Sequence, residues 1–239
     1  MGFLDFFGRK GSAKALDKHV KRAGDKRAQA PDRWTSLVAL GDAGTAEAVE
    51  GLLQRFTFRV DPSITDQEEK DLAFQSILKA GDAAVPPVRA YLADADAIAW
   101  PVRLLDELQG PESVVAALLE LLGEMDTEYE RDPQRKIDVI AQLEARPDPR
   151  TREAVTPFLE DINETVRFHA AGALLAQDDA EASRDRLIDL LAKDEGTRVR
   201  ASVLDGFIAK GWDLGDRAAE VAPNMPPGYR LDGASIRKG

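Results

Sequence analysis

Apolar residues recur along most of the chain at spacings of three and four, which place side chains on one face of an α-helix. The first pair of helices shows it in Leu37 and Leu40, then in Val49, Leu52 and Phe56 beyond a glycine-containing turn. The pattern predicts paired helices over residues 32–222. It leaves residues 1–31 as a basic N-terminal arm and residues 223–239 as an extended or disordered tail.

The strongest feature of this pattern is an internal repeat with an offset of 33 residues between positions 158 and 208. A fixed period of this length is typical of stacked helical hairpins. Loops at residues 57–65 and 126–133 interrupt the spacing earlier in the chain. The matched positions are Phe158 with Leu191, Asp161 with Asp194, Val166 with Val199, Arg167 with Arg200, Leu174 with Phe207 and Leu175 with Ile208.

Two of these repeats share a motif in which an Asp precedes a Val-Arg pair by five residues: Asp161 before Val166-Arg167, and Asp194 before Val199-Arg200. The motif resembles the HEAT repeat family, particularly the short HEAT-like repeats of bacterial proteins, over about residues 32–222. The resemblance implies an all-α fold, a right-handed α-solenoid of about six HEAT-like helical hairpins. We expect the Asp to cap the next helix, where its carboxylate satisfies free N–H groups.

Charge is distributed unevenly. The formal net charge is −11, yet residues 1–33 carry nine Lys/Arg against four Asp/Glu, which leaves −16 on the remainder. An acidic body repels nucleic-acid phosphates, whereas a basic arm attracts an anionic surface. This distribution disfavours nucleic acid as a partner, and with it the alkylpurine DNA glycosylases that use similar repeats. Bilin lyases also use such repeats, but that link rests on fold alone.

The sequence offers no catalytic constellation. It contains no cysteine and two histidines, His19 and His169, in different settings, so a multi-histidine metal site is not expected. His169 is followed by Ala170, unlike the His-Glu pairs of the di-iron HEAT-like enzymes. The carboxylate pair Glu68-Glu69 is interpreted as surface charge. We therefore expect no catalytic, cofactor-binding or metal-binding residues, and a protein that is not an enzyme.

Candidate partner-binding residues fall into three groups. Arg103, Arg167 and Arg200 occupy repeat positions and form either a ladder for a partner's acidic groups or ion pairs between repeats. Trp100 and Tyr129 lie near loops, where aromatic residues are enriched in binding hot spots; Trp100 has a core role as its alternative. The third group is the apolar segment Phe3, Leu4, Phe6 and Phe7, which precedes Arg9 and Lys10.

That apolar segment has three interpretations: a cap on the first hairpin, an anchor in a membrane surface or partner, or disorder. No stretch reaches the roughly 20 apolar residues that span a bilayer, and the segment is too short for a secretory signal. The sequence predicts a monomeric, cytoplasmic scaffold that binds another protein through its curved face. The alternative is an adaptor peripheral to an anionic membrane, attached through residues 1–31.

Overall fold

The computed structural model describes residues 14–239, which are mostly α-helical and confirm the all-α prediction. The chain divides into two compact units, one ending at Val114 and the other comprising Val115–Gly239. We call them the N-terminal and the C-terminal unit. The segment Phe3, Leu4, Phe6 and Phe7 lies outside the described residues.

The first helix described in the N-terminal unit is α1, residues 14–23. Its later helices are α2 (Ala30–Ala43), α3 (Ala46–Leu53), α4 (Ser63–Lys79), α5 (Val85–Asp94) and α6 (Ala99–Gln109), with 3-10 turns at Gln54–Thr57 and Gly81–Ala84. Helix α7 (Pro111–Gly123) contains the boundary between the units. Helix α2 packs on α3 and α4, helix α3 on α5, and helix α4 on α6. First helices of successive pairs thus contact one another, as do second helices.

In the sequence, Gly8, Gly11 and Gly24 argue against a stable helix in the basic arm, and helix α1 corrects that expectation. Gly24 lies just beyond the last helical residue, where it does not weaken the helix. Ala23 is fully buried, and a side chain at Gly51 would collide with Val20, so α1 lies directly against α3. The side chain of His19 contacts Ser36 Oγ at 3.2 Å. Tertiary packing therefore stabilises this helix.

The sequence suggests Asp32 as the cap of the first paired helix, and Thr65 or Asp66 as the cap of the helix after the 57–65 loop; both predicted helix starts are wrong in detail. Helix α2 begins at Ala30 with Pro31 in its first turn, so Asp32 lies inside the helix and does not cap it. Helix α4 begins at Ser63, and Asp66, one of the two expected caps, lies within its first turn. The Asp66 carboxylate instead accepts a hydrogen bond from Val60 N at 3.0 Å and binds two cationic side chains.

The C-terminal unit continues the pairing. Its helices are α8 (Gln134–Glu144), α9 (Thr151–Val155), α10 (Glu164–Leu175), α11 (Arg184–Lys193), α12 (Thr197–Lys210) and α13 (Ala218–Val221), with 3-10 turns at Thr156–Glu160, Ala180–Ser183, Gly215–Arg217 and Ala222–Asn224. Helix α10 packs on both α8 and α12, and α11 contacts the turn after α9. The core of this unit is mostly aliphatic but includes aromatic rings, with Leu143, Leu174 and Phe207 among its fully buried residues.

The C-terminal tail forms an antiparallel hairpin. The sequence predicted that this tail would be either extended or disordered. Strand β1 (Tyr229–Asp232) pairs with β2 (Ser235–Lys238), and Ile236 is buried. The hydroxyl of Tyr229 donates to Asp205 Oδ1 at 2.7 Å, which fastens the hairpin to α12. Within residues 14–239, no helix has the length and apolar character needed to cross a membrane.

Candidate functional site

Trp100 and Arg103 lie together on α6 in a cluster of aromatic rings. The Trp100 ring stacks on Phe56 with centroids 4.7 Å apart and also contacts Phe74 at 5.9 Å. The Arg103 guanidinium lies over both Phe74 and Trp100, at 4.9 and 5.0 Å from their ring centroids. Such cation–π contacts are favourable and hold the planar group against the rings. Trp100 therefore supports the packing of this unit rather than standing free in a loop.

One ring of this cluster, Phe56, also lines a surface groove between α3 and α5, which we call the α3–α5 groove. Its volume is about 540 Å³. The Phe56 ring that stacks on Trp100 is part of the groove wall. The residues that line it are Glu50, Leu53, Gln54, Phe56, Thr57, Pro87, Ala90, Tyr91, Asp94, Ala95, Asp96 and Ala97.

A buried charge network in the same unit was missed by the sequence analysis. Glu69, interpreted as surface charge, is completely buried and accepts hydrogen bonds from Arg33 Nε at 2.9 Å and Arg55 Nε at 2.6 Å. Arg55 also pairs with Asp66, and Asp66 pairs with Lys70. The interpretation of Glu69 as surface charge is therefore wrong. A carboxylate is stable in the interior only when opposite charges accompany it, and the two partners of Glu69, Arg33 and Arg55, come from outside α4.

Arg167 and Arg200, which are equivalent in the repeat, have different environments. Arg167 donates to both carboxylate oxygens of Asp194, from Nε at 2.6 Å and from Nη2 at 3.2 Å. Arg200 donates from Nη2 to the Glu195 carbonyl at 3.3 Å. Since Arg103 binds aromatic rings, the three arginines do not form a uniform ladder. The alternative of ion pairs between repeat elements is confirmed for Arg167.

Lys136 on α8 occupies the same repeat position and was also missed. It lies 33 residues after Arg103 and 31 before Arg167. Its Nζ contacts Asp161 Oδ2 at 3.0 Å, and both side chains are buried. Asp161 and Asp194 therefore perform equivalent tasks: each accepts a bond from a cation on the first helix of a pair.

The expected helix cap is found two residues later than predicted. Asn163 Oδ1 accepts from the backbone of Thr165 and Val166 and so caps α10, while Asp161 accepts from Asn163 N at 2.7 Å. The prediction that Asp161 caps the next helix is thus wrong. Its carboxylate fixes the turn before the cap and neutralises Lys136.

Tyr129 and a second exposed residue, Ile162, mark an edge of the C-terminal unit. Their exposed fractions are 75% and 58%. The backbone of Ile162 donates to Thr127 O at 3.3 Å, which joins the 126–133 loop to the turn after the fourth pair. Ile162 also lies at the rim of a groove of about 490 Å³, which we call the α9–α11 groove. The other residues that line it are Thr156, Leu159, Glu160, Asp161, Arg167, Arg186, Asp189, Leu190, Lys193, Asp194 and Glu195.

The histidines lie in separate units, and His169 contacts Glu144 Oε2 at 3.1 Å between α10 and α8. No group of three or more His, Cys, Asp or Glu side chains is placed to hold a metal ion in the described part of the chain.

Comparison with known proteins identifies one family. Residues 127–206 match the family model of HEAT repeats, which confirms the resemblance drawn from the Asp and Val-Arg positions. No curated protein matches the sequence. Among solved structures, an engineered protein is similar at 18% identity with a TM-score of 0.40, over 83% of this chain and 98% of that chain.

Proposed function

We propose that this protein is a non-enzymatic scaffold that binds another protein through its helical repeats. In this proposal about six hairpins form a right-handed solenoid whose curved face receives the partner. The protein acts as a monomer in the cytoplasm. Repeat stacks of this kind offer extended binding surfaces without a catalytic centre.

The observation that carries the proposal is the pair of exposed apolar residues, Tyr129 and Ile162, on two loops joined by a hydrogen bond. Large apolar side chains in water favour burial, at about 25 cal/mol per Å² of apolar surface. The adjoining α9–α11 groove adds a concave surface with charges of both signs. Apolar residues beside such a groove are typical of a protein-binding surface.

Affinity capture with three forms of the full chain tests this function. The wild type and the Ile64→Asp variant should capture the same amount of partner protein. Ile162→Asp should capture at least about 10-fold less, because truncating or charging a hot-spot residue costs about 1.4 kcal/mol or more. Ile64 is a matched control because it is also an exposed isoleucine, at 66%, in the other unit. Equal capture by both variants, or a reproducible turnover activity, would contradict the proposal.

The membrane-surface alternative is favoured by a different observation. Lys14, Lys18 and Lys21 are exposed at helical spacing on α1 and form a basic stripe, although Asp17 lies between them. Each such cation adds about 1 kcal/mol of attraction to an anionic membrane. Co-sedimentation with vesicles rich in phosphatidylserine tests this alternative. If the membrane alternative is correct, the double variant Lys14→Glu, Lys18→Glu should no longer sediment with the vesicles. If the protein scaffold function is correct, the variant and the wild type should sediment to the same extent.

A further inference from the structure

The α3–α5 groove combines apolar walls with a rim of a single charge. Leu53, Phe56 and Tyr91 provide apolar surface, and Glu50, Asp94 and Asp96 are the charged residues among those that line it. Burial, together with the Asp96 charge, raises the pKa of Tyr91. This groove therefore selects a ligand with large apolar side chains and positive charge, because unlike potentials attract and like charges across an interface repel.

The chain itself contains a segment of this chemistry. Phe3, Leu4, Phe6 and Phe7 are four apolar residues within five, and Arg9 and Lys10 follow them. Aromatic side chains bury the most surface per residue, so such a segment gains most from an apolar groove. The cations fall on one side of the apolar residues, which suits a groove with carboxylates along its rim.

The described chain begins close enough for this segment to reach the groove. Helix α1 lies along α3, and Gly24 at its end approaches Gln54, a residue that lines the groove. From residue 14, where the description begins, residues 8–13 span up to about 20 Å when extended. The length of α1 is about 15 Å. A short tether also gives an effective concentration of about millimolar, so a weak contact suffices.

We propose that residues 3–10 of this chain occupy the α3–α5 groove. The apolar side chains pack against Phe56 and Tyr91, and Arg9 and Lys10 face the carboxylates of the rim. The Trp100 ring stacked behind Phe56 keeps this wall in place. The groove belongs to the N-terminal unit, whereas Ile162 of the proposed protein-binding surface belongs to the C-terminal unit.

The absence of cysteine from the sequence makes disulfide trapping a direct test. In the full chain, Gly8→Cys is combined with Ala90→Cys, an exposed position in the groove, or with Ala83→Cys, an exposed position in the turn before α5 that does not line it. Under mild oxidation the Ala90 pair should form an intramolecular disulfide at least about 10-fold faster than the Ala83 pair, in proportion to effective concentration. Adding Asp94→Lys and Asp96→Lys should remove most of that difference.

Other occupants give different products. Equal rates for the two pairs would overturn the proposal, and so would a disulfide between two copies as the main product. If the thiols of both pairs stay reduced and the protein sediments with phosphatidylserine vesicles, the segment binds a membrane. That result would also overturn the proposal. A second measurement avoids new thiols: Phe6→Asp with Phe7→Asp should raise amide hydrogen exchange in residues 85–97, and unchanged exchange there contradicts the proposal.

Discussion

Arg167 and Asp194 join the start of one helix to the turn that precedes the next helical pair. The guanidinium donates two hydrogen bonds to the carboxylate, from Nε at 2.6 Å and from Nη2 at 3.2 Å. Arg167 also donates to the carbonyls of Asp161 and Ile162, and Asp194 accepts from Gly196 N. One side chain thus orders two successive turns of the C-terminal unit.

Replacing Arg167 by Met should destabilise the protein by about 2–4 kcal/mol, because the buried Asp194 would lose its cation. The matched control is Arg200→Met, one repeat later, because Arg200 donates to the Glu195 carbonyl and not to a buried carboxylate. We expect that control to cost less than about 1 kcal/mol. Urea unfolding of the two variants gives both free energies. A loss for Arg200→Met as large as that for Arg167→Met would refute this explanation.

The period of the sequence was sufficient to offer an ion pair between repeats as one of two interpretations of Arg167, because Arg and Asp recur at the same offset, and the structure shows that pair. It was not sufficient for Arg103, which has the same position but different neighbours. Phe74 and Trp100 lie where a carboxylate would be needed, so the guanidinium binds aromatic rings. Lys136 was missed because Lys takes the place of Arg in the motif. Repeat position thus predicts that a cation is present, but tertiary packing selects its partner.

The burial of Glu69 could not be predicted from the local sequence pattern. Its neighbour Glu68 is exposed, and adjacent carboxylates on one helix look alike in sequence. The partners that neutralise Glu69 are 14 and 36 residues away. The grooves and the exposed Ile162 share this limitation, because each is formed by segments that come together only after folding.

Asp66 should make stability depend on pH in acid. Burial raises the pKa of its carboxyl group, but hydrogen bonds from Lys70 and Arg55 outweigh this effect and lower the pKa from 3.8 to about 2. Because the folded state binds the proton more weakly than the unfolded state, the stabilisation is complete above pH 3.8 and is lost as the pH falls towards 2. We expect a contribution of about 1–2 kcal/mol.

Denaturant unfolding of wild type and Asp66→Asn over this pH range measures the contribution. The variant should be less stable at neutral pH, and the difference should shrink as the pH falls through the window. Asp61→Asn, at an exposed position in the preceding loop, serves as the control and should follow the wild type. A difference between Asp66→Asn and wild type that stays constant down to pH 2 would show that the charge of Asp66 is not responsible.

At Gly41, helix α2 approaches α4 closely. A Cβ atom at this position would lie 2.6 Å from Ser76 Oγ and 2.9 Å from Ser76 Cβ. Because these atoms are close to the backbone, they cannot move aside as a long side chain would. We expect Gly41→Ala to cost about 1–3 kcal/mol through overpacking, measured as a lower denaturation midpoint.

The control for Gly41 is Gly123→Ala at the end of α7, where a Cβ atom would meet nothing within 4 Å. There the substitution should be neutral or stabilising by up to about 1 kcal/mol, since alanine favours helix more than glycine does. Equal effects at the two positions would mean that helix propensity, and not the contact with Ser76, decides the outcome.

Tyr229 should control the C-terminal hairpin at alkaline pH. Burial, then the hydrogen bond to Asp205 and the charge of that carboxylate, raise the pKa of the phenol from 10.0 to about 12. A raised pKa means that the folded state holds the proton more tightly, so the stabilisation is complete below pH 10 and is lost as the pH rises to about 12. The hairpin should therefore separate from α12 in this range, because ionised Tyr229 and Asp205 repel.

An ultraviolet titration of wild type minus Tyr229→Phe isolates this one phenol from the other tyrosines. The midpoint should lie near 12 in the wild type and move towards 10 in Asp205→Asn, which removes the negative charge but keeps an oxygen that accepts the hydrogen bond. Asp213→Asn, which changes an acid that pairs with Arg184 instead, should leave the midpoint in place. A wild-type midpoint near 10 would show that the hydroxyl is not held by Asp205, and the hairpin would then depend on Ile236 and Lys238 for its attachment.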